Sequence, residues 1–317
     1  MITTTQVIKK VYHKNPEFAT FYKESERMTD AMTGLVLEGG TFRGIFSAGV
    51  MDAFIKAGVE FPYVIGVSAG ISNGVSYVSK QFTRNIDILE NFRNDKRYIG
   101  AGNFLRCKSC FGLDFVFGDI PKELVPFDYE TYHKYKGKVM VGMTNAETGK
   151  SEFMDGLTDS EDFRYLRATC AIPGCFPAIE INGVPYYDGG LACPIAISKA
   201  IKDGCTKNVI ILTQPKGFVK KCGKSNILMS QLIKHKYPNI EMLLLVRHKI
   251  YNKQVQFCEE LERRGKAIII RPKEKLDSFE SDTKVLRETW QSGYDMAMER
   301  MDEIKAFIGT EYHMYSE

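Results

Sequence analysis

The chain has no uninterrupted apolar run near the roughly 18 residues that a membrane-spanning helix needs. Its densest apolar patch, Met242 to Val246, is far shorter. It is therefore read as a chain that does not cross a bilayer. It has no internal repeat and no low-complexity tract, which excludes solenoids and propellers. Charge of one sign is scarce too: 43 Lys and Arg against 39 Asp and Glu leave only +4 over 317 residues, too little to argue for a nucleic-acid partner. The opening MITTTQVIKKVYHKNPEF has neither an apolar segment nor a small-residue cleavage site, so no secretory signal is read there. The eight cysteines then read as reduced thiols of a cytoplasmic protein. What the chain has in full is apolar material. With 44% hydrophobic residues, a chain of this length buries roughly 75% of its unfolded surface and needs no disulfide or metal staple.

The local pattern alternates strand and helix. Gly34 to Glu38 is a short apolar run, and residues 44 to 57 follow as a helical segment that Gly58 can end. Tyr63 to Val67 is the next strand, and a second helix is expected near 69 to 80. Val139 to Met143, Val209 to Leu212 and Ala267 to Ile270 are aliphatic runs of the kind buried on both faces of a parallel sheet. Asn182-Gly183, between two short extended segments, favours a tight hairpin turn. Pro194 suits the first position of a helix that Gly204 closes. Residues 226 to 264 read as two helices broken near Tyr237-Pro238, and 282 to 308 as one long closing helix. The expectation is a three-layer α/β/α domain with a mostly parallel central sheet. Residues 1–33 read as an N-terminal extension, 34–215 as the core, and 216–317 as a C-terminal helical part that completes the same domain.

Gly66-Val67-Ser68-Ala69-Gly70 is a G-x-S-x-G sequence between a strand and a helix, the setting of a nucleophile elbow. There the serine hydroxyl is exposed on a strained backbone, and the Ala69 N–H points where an oxyanion forms. The plainer alternative is a glycine-rich turn with a capping serine. Gly39-Gly40-Thr41-Phe42-Arg43-Gly44 also joins a strand to a helix, so its N–H groups can face an anion at a helix N-terminus. A dinucleotide loop is the alternative there. It fails at the second glycine of G-x-G-x-x-G, where Thr41 stands, and lacks the later acidic residue. The chain has five histidines to serve Ser68 as base: His13, His133, His235, His248 and His313. None stands on a loop beyond a late strand, as an α/β-hydrolase requires, and His235 and His248 fall in helical patterns. Asp188, in Tyr186-Tyr187-Asp188-Gly189-Gly190, is the carboxylate alternative, though by itself Asp-Gly-Gly reads as a turn.

Taken together, GGTFRG, GVSAG and YYDGG resemble the patatin-like phospholipase family, with the three motifs in the family's order over about residues 34 to 215. The likeness is nearest to bacterial members whose loop is preceded by LVLEGG, and RHKIYN and IIIRP are similar to the C-terminal part of those members. The resemblance implies hydrolysis of lipid acyl esters, as in lipid degradation by a serine esterase, through a catalytic dyad without histidine. Ser68 would be the nucleophile and Asp188 the base. Gly39, Gly40 and Thr41, with Ala69, would form the oxyanion hole, supported by Gly44, Gly66, Gly70, Gly189 and Gly190. Arg43 would hold the loop or add positive potential, unless it is an ordinary surface ion pair. No metal or cofactor is implied. The family usually has a third glycine where Thr41 stands, and threonine disfavours positive φ.

Such a dyad faces an energetic problem. A carboxyl of pKa near 3.9 must take a proton from an alcohol near 15.7, and full transfer would cost about 16 kcal/mol. The proton must therefore move as the oxygen attacks, while charge builds on the substrate carbonyl. Weaker signals remain. Cys107 and Cys110 have C-x-x-C spacing without a second ligand pair and read as loop thiols. Lysines at 134–138, 216–224 and 234–236 could meet an anionic membrane surface peripherally or simply be solvated. Phe104 to Phe117 could face an acyl chain or be core. The function classes left open are a lipid acyl hydrolase, a histidine-dependent esterase, and a non-catalytic lipid- or anion-binding protein.

Overall fold

The computed structural model describes residues 32–100, 111–309 and 312–315. Among these residues, eight strands form one sheet: β1 (Met32–Leu37), β2 (Tyr63–Val67), β3 (Lys138–Asn145), β4 (Ser151–Asp155), β5 (Ile179–Ile181), β6 (Val184–Asp188), β7 (Cys205–Ile211) and β8 (Ala267–Ile270). The order is β5-β6-β3-β2-β1-β7-β8, with β4 paired to β3. The run β3-β2-β1-β7-β8 is parallel throughout, while β4, β5 and β6 pair antiparallel. β1 starts at Met32, so Met32 and Thr33 belong to the sheet rather than to the extension expected from sequence. Residues 1–31, with His13, and residues 101–110, with Phe104, Cys107 and Cys110, lie outside the described residues.

The helices are α1 (Gly44–Ala57), α2 (Ala69–Val78), α3 (Arg84–Phe92), α4 (Tyr129–Lys134), α5 (Arg164–Thr169), α6 (Ile197–Lys202), α7 (Lys224–Ile233), α8 (Pro238–Arg263), α9 (Thr283–Glu299) and α10 (Met301–Ile308). They cover both faces of the sheet, and the period-two alternation of the strands decides which residue meets which layer. Leu35, Leu37, Val64, Val209 and Ile211 pack with Phe46, Val50 and Phe54 of α1 and Ile304 of α10. The alternate positions Val36, Ile65, Ile210 and Ile269 pack with Ile197 of α6 and Tyr251, Cys258 and Leu261 of α8. This is the expected three-layer α/β/α arrangement.

Several local expectations hold. Gly58 ends α1 at φ 66°, and Asn182 and Gly183, at φ 51° and 80°, turn β5 into β6. Others are corrected. The helix after Pro194 begins only at Ile197, and the Ile195 N–H just before it donates to Gln254 Oε1 at 2.9 Å. α2 ends at Val78 rather than near residue 80. The expected closing helix is two, broken at Arg300 (φ −104°, ψ 11°), whose guanidinium reaches the Ile269 carbonyl at 2.8 Å and pairs with Glu303. His235 lies in the turn between α7 and α8, not within a helix.

The C-terminal helices are tied to the first layer by one buried polar contact. Trp290 Nε1 of α9 donates to Asp52 Oδ2 of α1 at 2.7 Å, and Asp52 is 2% exposed. Burial pushes the Asp52 carboxyl up to about 7, against the Trp290 hydrogen bond that favours its ionised form. The folded state thus holds this proton more tightly than the unfolded chain. The associated stability is present below about pH 4 and is lost as the pH rises through 7. Asp52→Asn keeps an acceptor for Trp290 but cannot ionise. It should flatten this decline and exceed the parent in stability at pH 8 by at most about 4 kcal/mol. Urea unfolding at pH 5 and pH 8 checks this, and parallel declines for the two proteins would refute it.

Candidate active site

The sheet itself brings Ser68 and Asp188 together. β2 runs parallel along β3 and ends with Val67 opposite Gly142. β6 runs antiparallel to β3 and ends with Asp188 opposite Met143. β4 occupies the other edge of β3 over the same positions, so β2 and β6 share one edge and their C-terminal ends meet head to head. Ser68, the residue after Val67, therefore falls beside Asp188. The junction is tight. A Cβ on Gly189 would come within 2.2 Å of the Gly142 carbonyl oxygen and 2.8 Å of Val67 Cγ1, so no larger residue fits there.

Ser68 has φ 51° and ψ −138°, a conformation that non-glycine residues rarely adopt and that costs of the order of 1–3 kcal/mol. Its support comes from Thr169, the last residue of α5. The Ser68 N–H donates to Thr169 Oγ1 at 2.8 Å, and Thr169 Oγ1 donates to the Gly142 carbonyl at 2.5 Å. Sequence reasoning passed over Thr169, which belongs to none of the three motifs.

Asp188 is equally constrained. Its N–H donates to the Ala171 carbonyl, Thr144 Oγ1 donates to its carbonyl at 2.9 Å, and Oδ1 accepts from the Gly190 N–H at 2.6 Å. Burial raises the carboxyl above its ordinary range. Hydrogen bonding from the Ser68 side chain and the Gly190 N–H, and the charges of Arg247 and Lys220, pull the other way. Beside the pair stands Cys170, whose Sγ is 3.2 Å from Ser72 Oγ. Burial pushes its thiol up to about 12, so near neutral pH it is protonated.

The glycine loop packs directly on the serine. A Cβ on Gly39 would lie 2.9 Å from Ser68 Cβ. The N–H groups of Gly39 and Gly40 take part in no hydrogen bond among the described residues. Ala69 is the first residue of α2, so its N–H has no partner within the helix. Gly40 stands against Thr213, Gly44 against Ala69 and Asn73, Gly66 in β2 against Leu37, and Gly70 against the Glu38 backbone. Thr41 adopts φ 50°, the left-handed turn that the glycine of the resembled family would take without strain. Arg43 is no simple surface ion pair. Its Nε donates to Thr213 Oγ1 at 3.4 Å and its Nη1 donates to Ser278 Oγ.

Two environments flank Ser68. On one side an apolar cavity is lined by Phe42, Ile45, Leu89, Phe111, Phe117 and Phe176, with Thr41, Ser68 and Ala69 at its polar end. Phe111 and Phe117 line the cavity, and Phe117, also part of the buried core, lies in a π-helical segment, Phe115–Leu124. On the other side is a cluster of charge. Glu38 is 2% exposed and accepts from the Thr213 N–H at 2.7 Å. Burial raises its carboxyl against the opposing pull of Arg43 and Lys220. Lys220 is lowered to about 8, first by burial and then by Arg247. Arg247 Nη2 donates to the Gly190 carbonyl at 3.4 Å. Lys220 and Arg247 were missed as site residues, although Arg247 opens the RHKIYN stretch noted in the sequence. No histidine is among the described residues lining the cavity, and those described form no group of His, Cys, Asp and Glu that could hold a metal ion.

A family model described as Patatin-like phospholipase matches residues 35–199, just over half of the chain. The chain belongs to the patatin-like phospholipase family. A second model, a domain of unknown function (DUF6363), matches residues 237–309 of this patatin-like chain, so Arg247 reaches the site from that block. The Escherichia coli uncharacterized protein YjjU is 27% identical over 187 residues, covering 57% of this chain and 52% of YjjU. Lysophospholipase nte1 of Aspergillus terreus is 27% identical over 191 residues, covering 56% of this chain and 12% of that protein. Its Aspergillus niger counterpart is 25% identical over 195 residues, with 56% and 11% covered. The chain thus spans about half the length of YjjU and a small part of the fungal proteins. Among solved structures, VipD from Legionella pneumophila aligns with a TM-score of 0.43 and 15% identity, covering 89% of this chain and 73% of that one.

The strain at Thr41 is testable. Thr41→Gly removes the Cβ penalty at φ 50° and should raise stability by roughly 1 kcal/mol in denaturant unfolding. A loss of stability would show that threonine side-chain contacts, not backbone strain, dominate at this turn.

Proposed function

We propose that this chain is a serine acyl hydrolase that cleaves carboxylic esters of glycerophospholipids or related lipids through Ser68 and Asp188. One observation carries the reading: the ends of β2 and β6 set Ser68 beside a buried Asp188 at the edge of an apolar cavity. An acyl chain takes the cavity, which sets the ester carbonyl against Ser68. Ser68 Oγ attacks the carbonyl carbon while its proton passes to Asp188. The carbonyl oxygen becomes the oxyanion, received by the N–H groups of Gly39, Gly40, Thr41 and Ala69. The C–O bond then breaks, the departing alcohol takes the proton from Asp188, and the acyl group stays on Ser68. Water attacks this acyl-enzyme, losing its proton to Asp188, and the proton returns to Ser68 as the fatty acid leaves.

Burial of Asp188 narrows the gap between carboxyl and alcohol, each pKa unit being worth about 1.4 kcal/mol. Oxyanion donors supply roughly 3–4 kcal/mol apiece where they have been removed from other enzymes. Base and hole together thus stand in for the imidazole of a triad. The fungal relatives are named lysophospholipases, which favours a lysophospholipid or similar single-chain ester as substrate. The histidine-dependent reading has no histidine among the described residues lining the cavity to support it. No described helix is long and apolar enough to cross a membrane, so substrate in a bilayer would be met from its surface.

Ser68→Ala and Asp188→Asn should each lower turnover of a p-nitrophenyl acyl ester by at least about a thousandfold, with thermal unfolding unchanged. Wild-type turnover in either would remove the dyad. A second expectation concerns pH. Asp188 must be ionised to act, so kcat/KM should rise through its raised pKa. Arg247 favours the ionised form, so Arg247→Gln should move the acidic limb to higher pH. A limb that stays in place would show that Arg247 does not act on the base.

A further inference from the structure

We infer that α7 and the loop before it form a docking surface for an anionic lipid bilayer. Residues 212–240 carry six lysines and neither Asp nor Glu. This stretch alone exceeds the net charge of +4 on the whole chain. The same segment presents Val219 at 64% exposure, Ile227 at 47%, Leu228 at 63% and Leu232 at 70%. Ile227, Leu228 and Leu232 share one arc of α7 with Lys224 and Gln231, while Ser230 and Ile233 face the protein. An amphipathic helix with exposed aliphatic side chains and flanking lysines is built to lie in a lipid interface, where apolar side chains enter the acyl boundary and ammonium groups meet anionic headgroups. Charge decides the occupant: an apolar partner protein would have no use for the five lysines other than Lys220, whereas an anionic headgroup layer answers both features.

Position adds to this. Met229 of α7 sits on Gly174, and the adjoining Ile172 and Phe176 line the cavity. Lys220 is charge-coupled to Asp188 and stands four residues before Lys224, so α7 starts within about 14 Å of it along the chain. A bilayer against α7 would therefore lie close to residues that line the cavity.

The test uses the full chain, cosedimented with vesicles of phosphatidylcholine alone or mixed with phosphatidylglycerol. Binding is expected with the anionic vesicles and should weaken with added salt. The variant Ile227→Gln/Leu228→Gln/Leu232→Gln should bind at least tenfold more weakly, as should the charge variant Lys221→Glu/Lys224→Glu, both with wild-type turnover of a short soluble ester. Undiminished binding by either folded variant overturns the inference. So does light scattering that finds a dimer which the glutamine variant dissociates, since the face would then cover a second copy. The readout is binding, independent of the serine reading. Loss of ester turnover in Ser68→Ala with vesicle binding intact supports both, and bound but inactive wild-type chain would sink the catalytic proposal alone.

Discussion

The site rests on a change of partner along one edge of a single strand. β3 pairs with β2 as far as Gly142 and with β6 from Met143 onward, so two strands from distant parts of the chain end against each other. Everything else around the pair serves that junction. Gly189 allows the approach, Thr169 ties the serine backbone to the Gly142 carbonyl, and Thr144 holds the aspartate carbonyl. The carboxylate is then buried by the strands that deliver it, which is also what raises its proton affinity.

The surroundings of that junction are polarised. Aromatic and aliphatic side chains line one flank, and Glu38, Arg43, Lys220 and Arg247 interact on the other. Burying several charges together is costly unless they offset one another. Here each carboxylate has basic neighbours, and each basic group sits near a carboxylate. The cluster draws on the loop after β1, the loop after β7, and α8. The patatin-like segment therefore does not furnish this flank by itself; the C-terminal block completes it.

Much of this was legible in the residues, and the physical reason is locality. Strand runs such as Val209 to Leu212, the Asn182-Gly183 turn and the Gly58 helix stop declare themselves within a few positions, because backbone sterics and alternation act at short range. The three motifs are likewise local, and their resemblance to a family pointed to Ser68 and Asp188. What stayed hidden is set by distant contacts. The late start of the helix after Pro194 and the break at Arg300 coincide with contacts to Gln254 and to the Ile269 carbonyl, and Thr169 and Arg247 acquire their places only when the sheet is assembled. Thr41 shows the reverse case, a residue whose intrinsic preference is overridden by the turn in which it is placed.

The support of Ser68 by Thr169, 101 positions further along, bears on how the protein comes into being. A ribosome delivers the elbow long before its brace, and β1 must wait for β7 to complete the centre of the sheet. Any stretch of this chain that stops short of position 169 lacks the hydroxyl on which the elbow's backbone leans, so the strained turn is a property of the assembled sheet rather than of the motif.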